Sequence, residues 1–358
     1  MTNKLLLPLV AGAMALAHAQ SADACTLAGW DIHQVTYWSA GDNFPHGDER
    51  CDLFGDCRLQ GWIVAPPSGS NLKAVVMAHG SQGVNDYDEQ SLNEYCELTN
   101  RLVTNGYVVF WPFRRGVFDV TTAAMVGTGS GHPSGREAGN RFDGDNGGYF
   151  QNTGWSAVFY ADIITDGGTG DTNTHNYVSY LEDEAHVDMN DAINFLVNYK
   201  RDGVALVNKH HIAFGGHSIG GALAGMASAQ IYDNPPSAFI SLSGAAMSWS
   251  GSDWWATFLV PDAASHTAVV FYDRVLNEDP ATPPTFASSN QQYNAAMGHN
   301  GGAVIHDYPA ISIPNSDCPT SVNTDALHYW CVHSNFVTKP QWVDIWFPDL
   351  LQFLTNHI

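Results

Sequence analysis

Gly216-His217-Ser218-Ile219-Gly220 places a serine at the centre of a G-x-S-x-G pattern, between a short apolar run (residues 211–214) and a stretch of small residues (220–229). The chemistry this suits is attack of the hydroxyl on a carbonyl carbon from a sharp strand-to-helix turn. A serine at the tip of such a turn is held in strained backbone, and neighbours without side chains let strand and helix close around it. The turn lifts the Ser218 hydroxyl clear of the sheet and aims the free N–H groups of the helix start at the reacting oxygen. A hydroxyl is a weak nucleophile at neutral pH. It needs a base to take its proton, an acid to orient that base, and donors for the oxyanion.

The chain offers both partners in the order serine, acid, histidine. The acid is expected in the loop beyond a strand at 268–272, where Asn277-Glu278-Asp279-Pro280 lies. Asp279 is the first choice, Glu278 the second and Asp273 the third. The base is expected after the last strand, and His328 and His333 both qualify, on either side of Cys331. His333 is preferred because it leads through Ser334-Asn335-Phe336 into the closing helix. His306, inside the last strand, reads as a packed residue. The oxyanion donors are the N–H of Ile219 and an N–H just after His79-Gly80, assigned to Ser81 with Gln82 as the alternative. Trp249, Trp254 and Trp255 follow a strand at 238–243. Trp254 and Trp255 are the candidates for an apolar substrate pocket, and core or lid packing is the plainer reading of all three.

These residues need elements to hold them. Strands are predicted at 33–38, 60–65, 72–78, 107–112, 211–214, 238–243, 268–272 and 303–308. Helical patterns fall at 91–104 and around Met189, Ala192, Ile193 and Leu196, spaced i, i+3, i+4 and i+7 after the acidic run Glu182-Asp183-Glu184. A closing helix at 343–354 is expected to bury Ile345, Trp346, Leu350, Leu351 and Phe353. Strands alternating with helices predict an α/β fold, a mostly parallel sheet covered on both faces. Residues 127–176, rich in Gly, Asp, Asn and Thr, read as an ordered insertion or long active-site loop. Within them Asp143-Gly144-Asp145-Asn146-Gly147 has some character of a calcium loop but lacks the closing glutamate, so a solvated turn is the preferred reading and no metal is expected.

Residues 1–19 read as an export signal: Lys4, an apolar run at 5–17, then Ala17-His18-Ala19 as a cleavage pattern. That run is too short for a permanent span. Ala22-Asp23-Ala24-Cys25 lacks the leucine of a lipidation site and carries an acid, so lipidation is disfavoured. Residues 20–358 then form one catalytic domain, periplasmic or extracellular. The six cysteines favour disulfides in that setting, and proximity suggests Cys51–Cys57, Cys318–Cys331 and, as the remaining pair, Cys25–Cys96. No spacing suggests zinc. A net charge of −22, from 36 acids against 14 bases, argues against nucleic acid or an anionic membrane surface as partner. The charge leaves the substrate and the oligomeric state open.

Three runs taken together, Ala78-His79-Gly80, then Gly106-Tyr107-Val108-Val109 with Arg114-Arg115-Gly116, then Gly216-His217-Ser218-Ile219-Gly220-Gly221, resemble the α/β-hydrolase superfamily. Within it the likeness is to serine-bearing relatives of dienelactone hydrolase, in order from residue 72 to 358. An Arg-Arg-Gly after the fourth strand and a His-x-x-Phe before the last helix, here His333 and Phe336, carry that likeness. The resemblance implies an α/β-hydrolase fold, no cofactor, and esters of small or aromatic acids as substrates. Secretion adds lipids or polyesters. Dienelactone hydrolases proper have Cys where this chain has Ser218, so lactone specificity does not carry over. Residues 127–176 and 311–326 are also longer than the resemblance leads one to expect. A peptidase of prolyl-oligopeptidase type is the nearest rival, though an N-terminal propeller is missing, and a non-catalytic binding protein is a more distant one.

Overall fold

The computed structural model describes residues 25–39, 57–79, 95–113, 186–217, 220–221, 223–224, 233–242, 269–276, 303–309 and 335–358. In chain order these form β1 (Asp31–Ser39), β2 (Cys57–Ala65), β3 (Leu72–Ala78), α1 (Cys96–Thr104), β4 (Val108–Pro112), α2 (His186–Asn198), β5 (Lys200–Arg201), β6 (Val204–Ala205), β7 (Val207–His217), β8 (Ala238–Leu242), β9 (Val269–Leu276), β10 (Ala303–Pro309) and α3 (Pro340–His357). Apart from the small β5–β6 hairpin, the strands join an 8-stranded sheet in the order β1-β2-β4-β3-β7-β8-β9-β10. β2 runs antiparallel to β1 and β4, and every pairing from β4 through β10 is parallel.

Burial follows position in the sheet. β4 and β8 are buried at every residue, as are the last five residues of β3. Such unbroken apolar runs suit strands covered on both faces. β1 lies at one edge of the sheet, and from Gln34 onward it alternates: Val35, Tyr37 and Ser39 are buried, while Gln34, Thr36 and Trp38 are exposed. Consecutive residues of β4 show where the layers lie. The Phe110 ring meets Phe195 of α2 at 6.0 Å, whereas Trp111 Nε1 donates to Thr99 Oγ1 of α1 at 2.9 Å. Because neighbouring strand residues point to opposite faces, α1 and α2 cover opposite faces of the sheet. α3 joins α1, through an Arg101–Asp344 ion pair of 2.6 Å and the Arg101 guanidinium 5.9 Å from the Phe347 ring.

Met189, Ala192, Ile193 and Leu196 are all buried in α2, as their spacing predicts. α3 starts earlier and ends later than expected, and this moves its buried face. Trp342, Val343, Trp346, Phe347, Leu350, Phe353 and Leu354 are buried. At 100° per residue they form a stripe roughly 140° wide. Ile345, expected inside, falls about 60° outside that stripe and is 38% exposed. Leu351, on its other margin, is only partly buried.

Cys25 and Cys96 form the remaining disulfide of the predicted set, with Cα atoms 5.9 Å apart. It ties the segment before β1 to the first residue of α1. Cys51, Cys318 and Cys331 lie outside the described residues.

The β5–β6 hairpin, not anticipated from sequence, is a second staple. Arg201 Nη1 donates to Asp31 Oδ2 at 3.0 Å and to the Pro66 carbonyl at 2.6 Å, and Nη2 donates to the Gly69 carbonyl. His33 Nε2 lies 2.8 Å from the other Asp31 oxygen. Partial burial raises the Asp31 pKa, but the hydrogen bonds and charges of His33 and Arg201 outweigh it and hold the carboxyl below its ordinary 3.8. A lowered carboxylate contributes stability that is complete above 3.8 and is lost as pH falls through the folded value. Asp31→Asn is therefore expected to be less stable than wild type at neutral pH, with the gap narrowing at acid pH as the carboxylate is protonated. Arg201→Ala should lose about 2 kcal/mol at neutral pH, since it strips charge-assisted hydrogen bonds from three oxygens. Urea denaturation of both variants at the two pH values checks this, and a gap that widened on acidification would contradict it.

Candidate active site

Two glycines of the motif meet the end of β3. β7 reaches His217, with Gly216 level with Ala78 of β3 on one side and Ser241 of β8 on the other. Residues 220, 221, 223 and 224 are already helical. A Cβ added to Gly216 would strike the Gly220 backbone and stand 2.7 Å from the Ala78 carbonyl oxygen. One added to Gly220 would strike that same oxygen and stand 2.7 Å from the carbonyl oxygen of His79. The chain therefore doubles back between 216 and 220 and lays Gly220 on the last residues of β3. That approach needs glycine at both positions.

The turn sits at a topological switch point. From β3 the chain moves outward on one side to β4, and from β7 outward on the other side to β8, β9 and β10. In open α/β sheets such a point, at the carboxyl ends of the strands, is where ligands bind. Ala78, Gly216, Ser241, Tyr272 and Ile305 form one level across the parallel strands. The segments carrying Ser81, Ser218, Asp279 and His333 all leave from that carboxyl edge or follow it in the chain. Ser218, Ile219, Ser81, Gln82, Glu278, Asp279, His328 and His333 themselves lie outside the described residues, as do Trp249, Trp254, Trp255 and the 143–147 loop.

One alternative changes place. β9 continues to Leu276, beyond the strand expected at 268–272, because β10 pairs with it in unbroken register from Val270 to Leu276. Asp273 is thus a strand residue, in register with Leu242 and His306. The loop acids that remain are Glu278 and Asp279. His306 lies within β10, as expected.

The described residues around the end of β7 are aromatic. His217, immediately before the serine, is buried and meets Tyr95 edge-on at 6.1 Å. Tyr95 stacks on Trp111 with centroids 4.3 Å apart. His79 is buried 5.8 Å from Phe113, whose carbonyl accepts a 3.1 Å bond from Tyr37 Oη. Beyond the candidate base, Phe336 is buried and stacks on Trp346 at 5.2 Å. Trp346 Nε1 also donates to the Phe336 carbonyl at 2.9 Å, which anchors the chain three residues after His333. Sequence reading passed over Tyr95 and Trp111, since their contacts join residues with no shared local pattern.

Perturbed titrations among the described residues lie on the opposite edge. Burial pushes Tyr107 and Tyr199 up, and these residues, like Asp31, sit near the amino ends of the parallel strands. Among the described residues no group of three His, Cys, Asp or Glu is placed to hold a metal ion, and no helix is long and apolar enough to cross a membrane.

No protein-family model matches the chain, and no curated protein does. Solved structures are similar in outline. An acetyl xylan esterase from Paenibacillus sp. R4 is 14% identical, with 100% of this chain and 96% of that one covered at a TM-score of 0.46. A dienelactone hydrolase-like promiscuous phosphotriesterase from metagenomic libraries is 13% identical, covering 87% and 98% at 0.43. An acylaminoacyl peptidase from Pyrococcus horikoshii is 12% identical, covering 88% of this chain but 42% of its own, at 0.44. Similarities at these scores do not decide the matter; strand order, strand direction and the glycine turn do. By those features the chain has an α/β-hydrolase fold, with a mostly parallel central sheet flanked by helices.

Proposed function

We propose that this chain is an exported serine hydrolase that cleaves carboxylic esters through an acyl-enzyme, with residues 1–19 as a removed signal and 20–358 as one catalytic domain. Ser218 is the nucleophile, His333 the base and Asp279 the acid that orients it. As Ser218 Oγ bonds to the ester carbon, His333 takes its proton. The carbonyl electrons move onto oxygen, which the N–H groups of Ile219 and Ser81 receive. Collapse expels the alcohol, which leaves with the proton from His333. Water, deprotonated by His333, then attacks the acyl carbon; the bond to Ser218 Oγ breaks, His333 returns its proton to that oxygen, and the acid leaves. Trp254 and Trp255 would line the acyl side of the pocket. The chemistry needs no cofactor.

The observation that supports this reading is the contact of Gly216 and Gly220 with Ala78 and His79. It brings Gly216 and Gly220, on either side of Ser218 in the chain, against the end of β3, after which Gly80 and Ser81 follow in sequence. The Cys25–Cys96 bridge supports an oxidising destination.

Labelling with a fluorophosphonate probe, followed by peptide mass mapping, tests the nucleophile. A single adduct on Ser218 is expected, together with hydrolysis of p-nitrophenyl esters in an acetate-to-palmitate series. An unlabelled protein would end the reading. Labelling with turnover of peptide–coumarin amides and none of esters would make it a peptidase instead.

A further inference from the structure

We propose that Tyr95 is a positioning residue for the nucleophile, acting through His217; the inference rests on the serine-hydrolase reading above. Gly216 and His217 are the last two residues of β7, and their side chains project to opposite faces. On the Gly216 face the turn is fixed by backbone contact with Gly220 and the end of β3. On the other face the described side chain that adjoins Ser218 in the chain is the His217 imidazole. That imidazole is 5% exposed and packs edge-on against Tyr95, itself 3% exposed.

Tyr95 is held more firmly than a packed aromatic needs to be. Its carbonyl accepts the Thr99 N–H at 2.9 Å, opening α1. Thr99 Oγ1 accepts Trp111 Nε1 at 2.9 Å. The Trp111 ring lies on the Tyr95 ring at 4.3 Å and 24°. These three contacts close a ring, Tyr95 to Thr99 to Trp111 and back, that fixes both the backbone and the side chain of Tyr95. The disulfide to Cys25 secures the residue beside it. The tyrosine is thus a fixed wall against which His217 sets the last backbone dihedrals before Ser218. A serine hydroxyl displaced by about 1 Å from its line of attack can lose a hundredfold in rate. Such displacement acts on the chemical step and leaves ground-state binding of the ester nearly unchanged.

The test compares kcat and KM for p-nitrophenyl acetate, and the rate of fluorophosphonate labelling, in wild type, Tyr95→Leu, Tyr95→Phe and Leu102→Ala. Leu102 is fully buried in the same helix, away from His217 in the chain, and controls for plain destabilisation. Tyr95→Leu should lower kcat and labelling by roughly 10- to 100-fold, with KM within about threefold. Tyr95→Phe, which keeps the ring that meets His217, should lose far less kcat than Tyr95→Leu. Leu102→Ala should melt earlier yet turn over normally. Unchanged kcat in Tyr95→Leu, or an equal fall in Leu102→Ala, would overturn the proposal. If Tyr95→Leu does not fold, Trp111→Phe decides it: the variant loses the Thr99 bond, and about a threefold or greater fall in kcat is expected, whereas wild-type kcat overturns the role. Wild type that fails to label at Ser218 removes this inference and the hydrolase reading together. Labelled wild type with an indifferent Tyr95→Leu removes this inference alone.

Discussion

Ester turnover by Ser218→Ala is expected to fall by about 10⁴- to 10⁶-fold, with the folded protein otherwise intact. A nucleophile, its base and the acid behind it act as a unit, so losing the attacking atom forfeits nearly everything they achieve together. At 1.36 kcal/mol per factor of ten, the loss corresponds to about 5–8 kcal/mol of transition-state stabilisation. Oxyanion donors and substrate binding remain, and they account for the residual rate above the uncatalysed one. Removing one hydroxyl should leave the melting temperature within about 2 °C of wild type. The same assay resolves the open choices: His333→Ala should fall nearly as far while His328→Ala stays active, and Asp279→Asn should fall further than Glu278→Gln. A Ser218→Ala variant that kept a tenth of its activity would put the nucleophile elsewhere.

The second large effect is expected from Gly220→Ala. The added methyl would meet backbone: the carbonyl oxygen of Ala78, its carbon at 2.6 Å and the His79 oxygen at 2.7 Å. No rotamer change can relieve this. Either the end of β3 shifts or the elbow opens, so stability should fall by about 3 kcal/mol and turnover by about a hundredfold. Gly106→Ala is the instructive contrast. Gly106 has φ +88° but open space where a Cβ would stand, so its substitution should cost about 1–2 kcal/mol of left-handed strain and spare activity. Thermal melts and p-nitrophenyl ester assays on both variants separate the two reasons for a glycine. Wild-type turnover in Gly220→Ala would mean that the contact with β3 does not matter to the site.

What sequence could and could not disclose divides by range. The glycine turn carries its own local signature, and the i, i+3, i+4, i+7 spacing of α2 suffices to identify its buried face. The central strands announce themselves as apolar runs because both of their faces are covered. α3 is where local reading misled. It is apolar over much of its surface, so only its docking on α1 through Arg101, Asp344 and Phe347 selects which stripe goes inside. The β5–β6 hairpin escaped for a related reason: two-residue strands have no periodicity, and what holds Arg201 is a carboxylate and two carbonyls remote in the chain. Asp273 was placed in a loop because the strand was ended at Tyr272, and a charged residue inside a strand leaves no mark of its own. The Tyr95–His217 contact joins the start of α1 to the end of β7, far apart in the chain, where no pattern of neighbours could point to it.

The strand order also sets an order of assembly. β1, β2, β3, α1 and β4 are contiguous in the chain and make four adjacent strands, and the Cys25–Cys96 crosslink closes within them. All of this precedes β7 in the chain. β3 then presents an unpaired edge until β7 arrives, after which β8, β9 and β10 can each add to the strand just laid down. The elbow lies on that seam. Wherever the chain folds, the four strands β1, β2, β4 and β3 leave an open inner edge until β7 pairs with it, and that edge is where a half-folded chain is exposed to pairing with a neighbour.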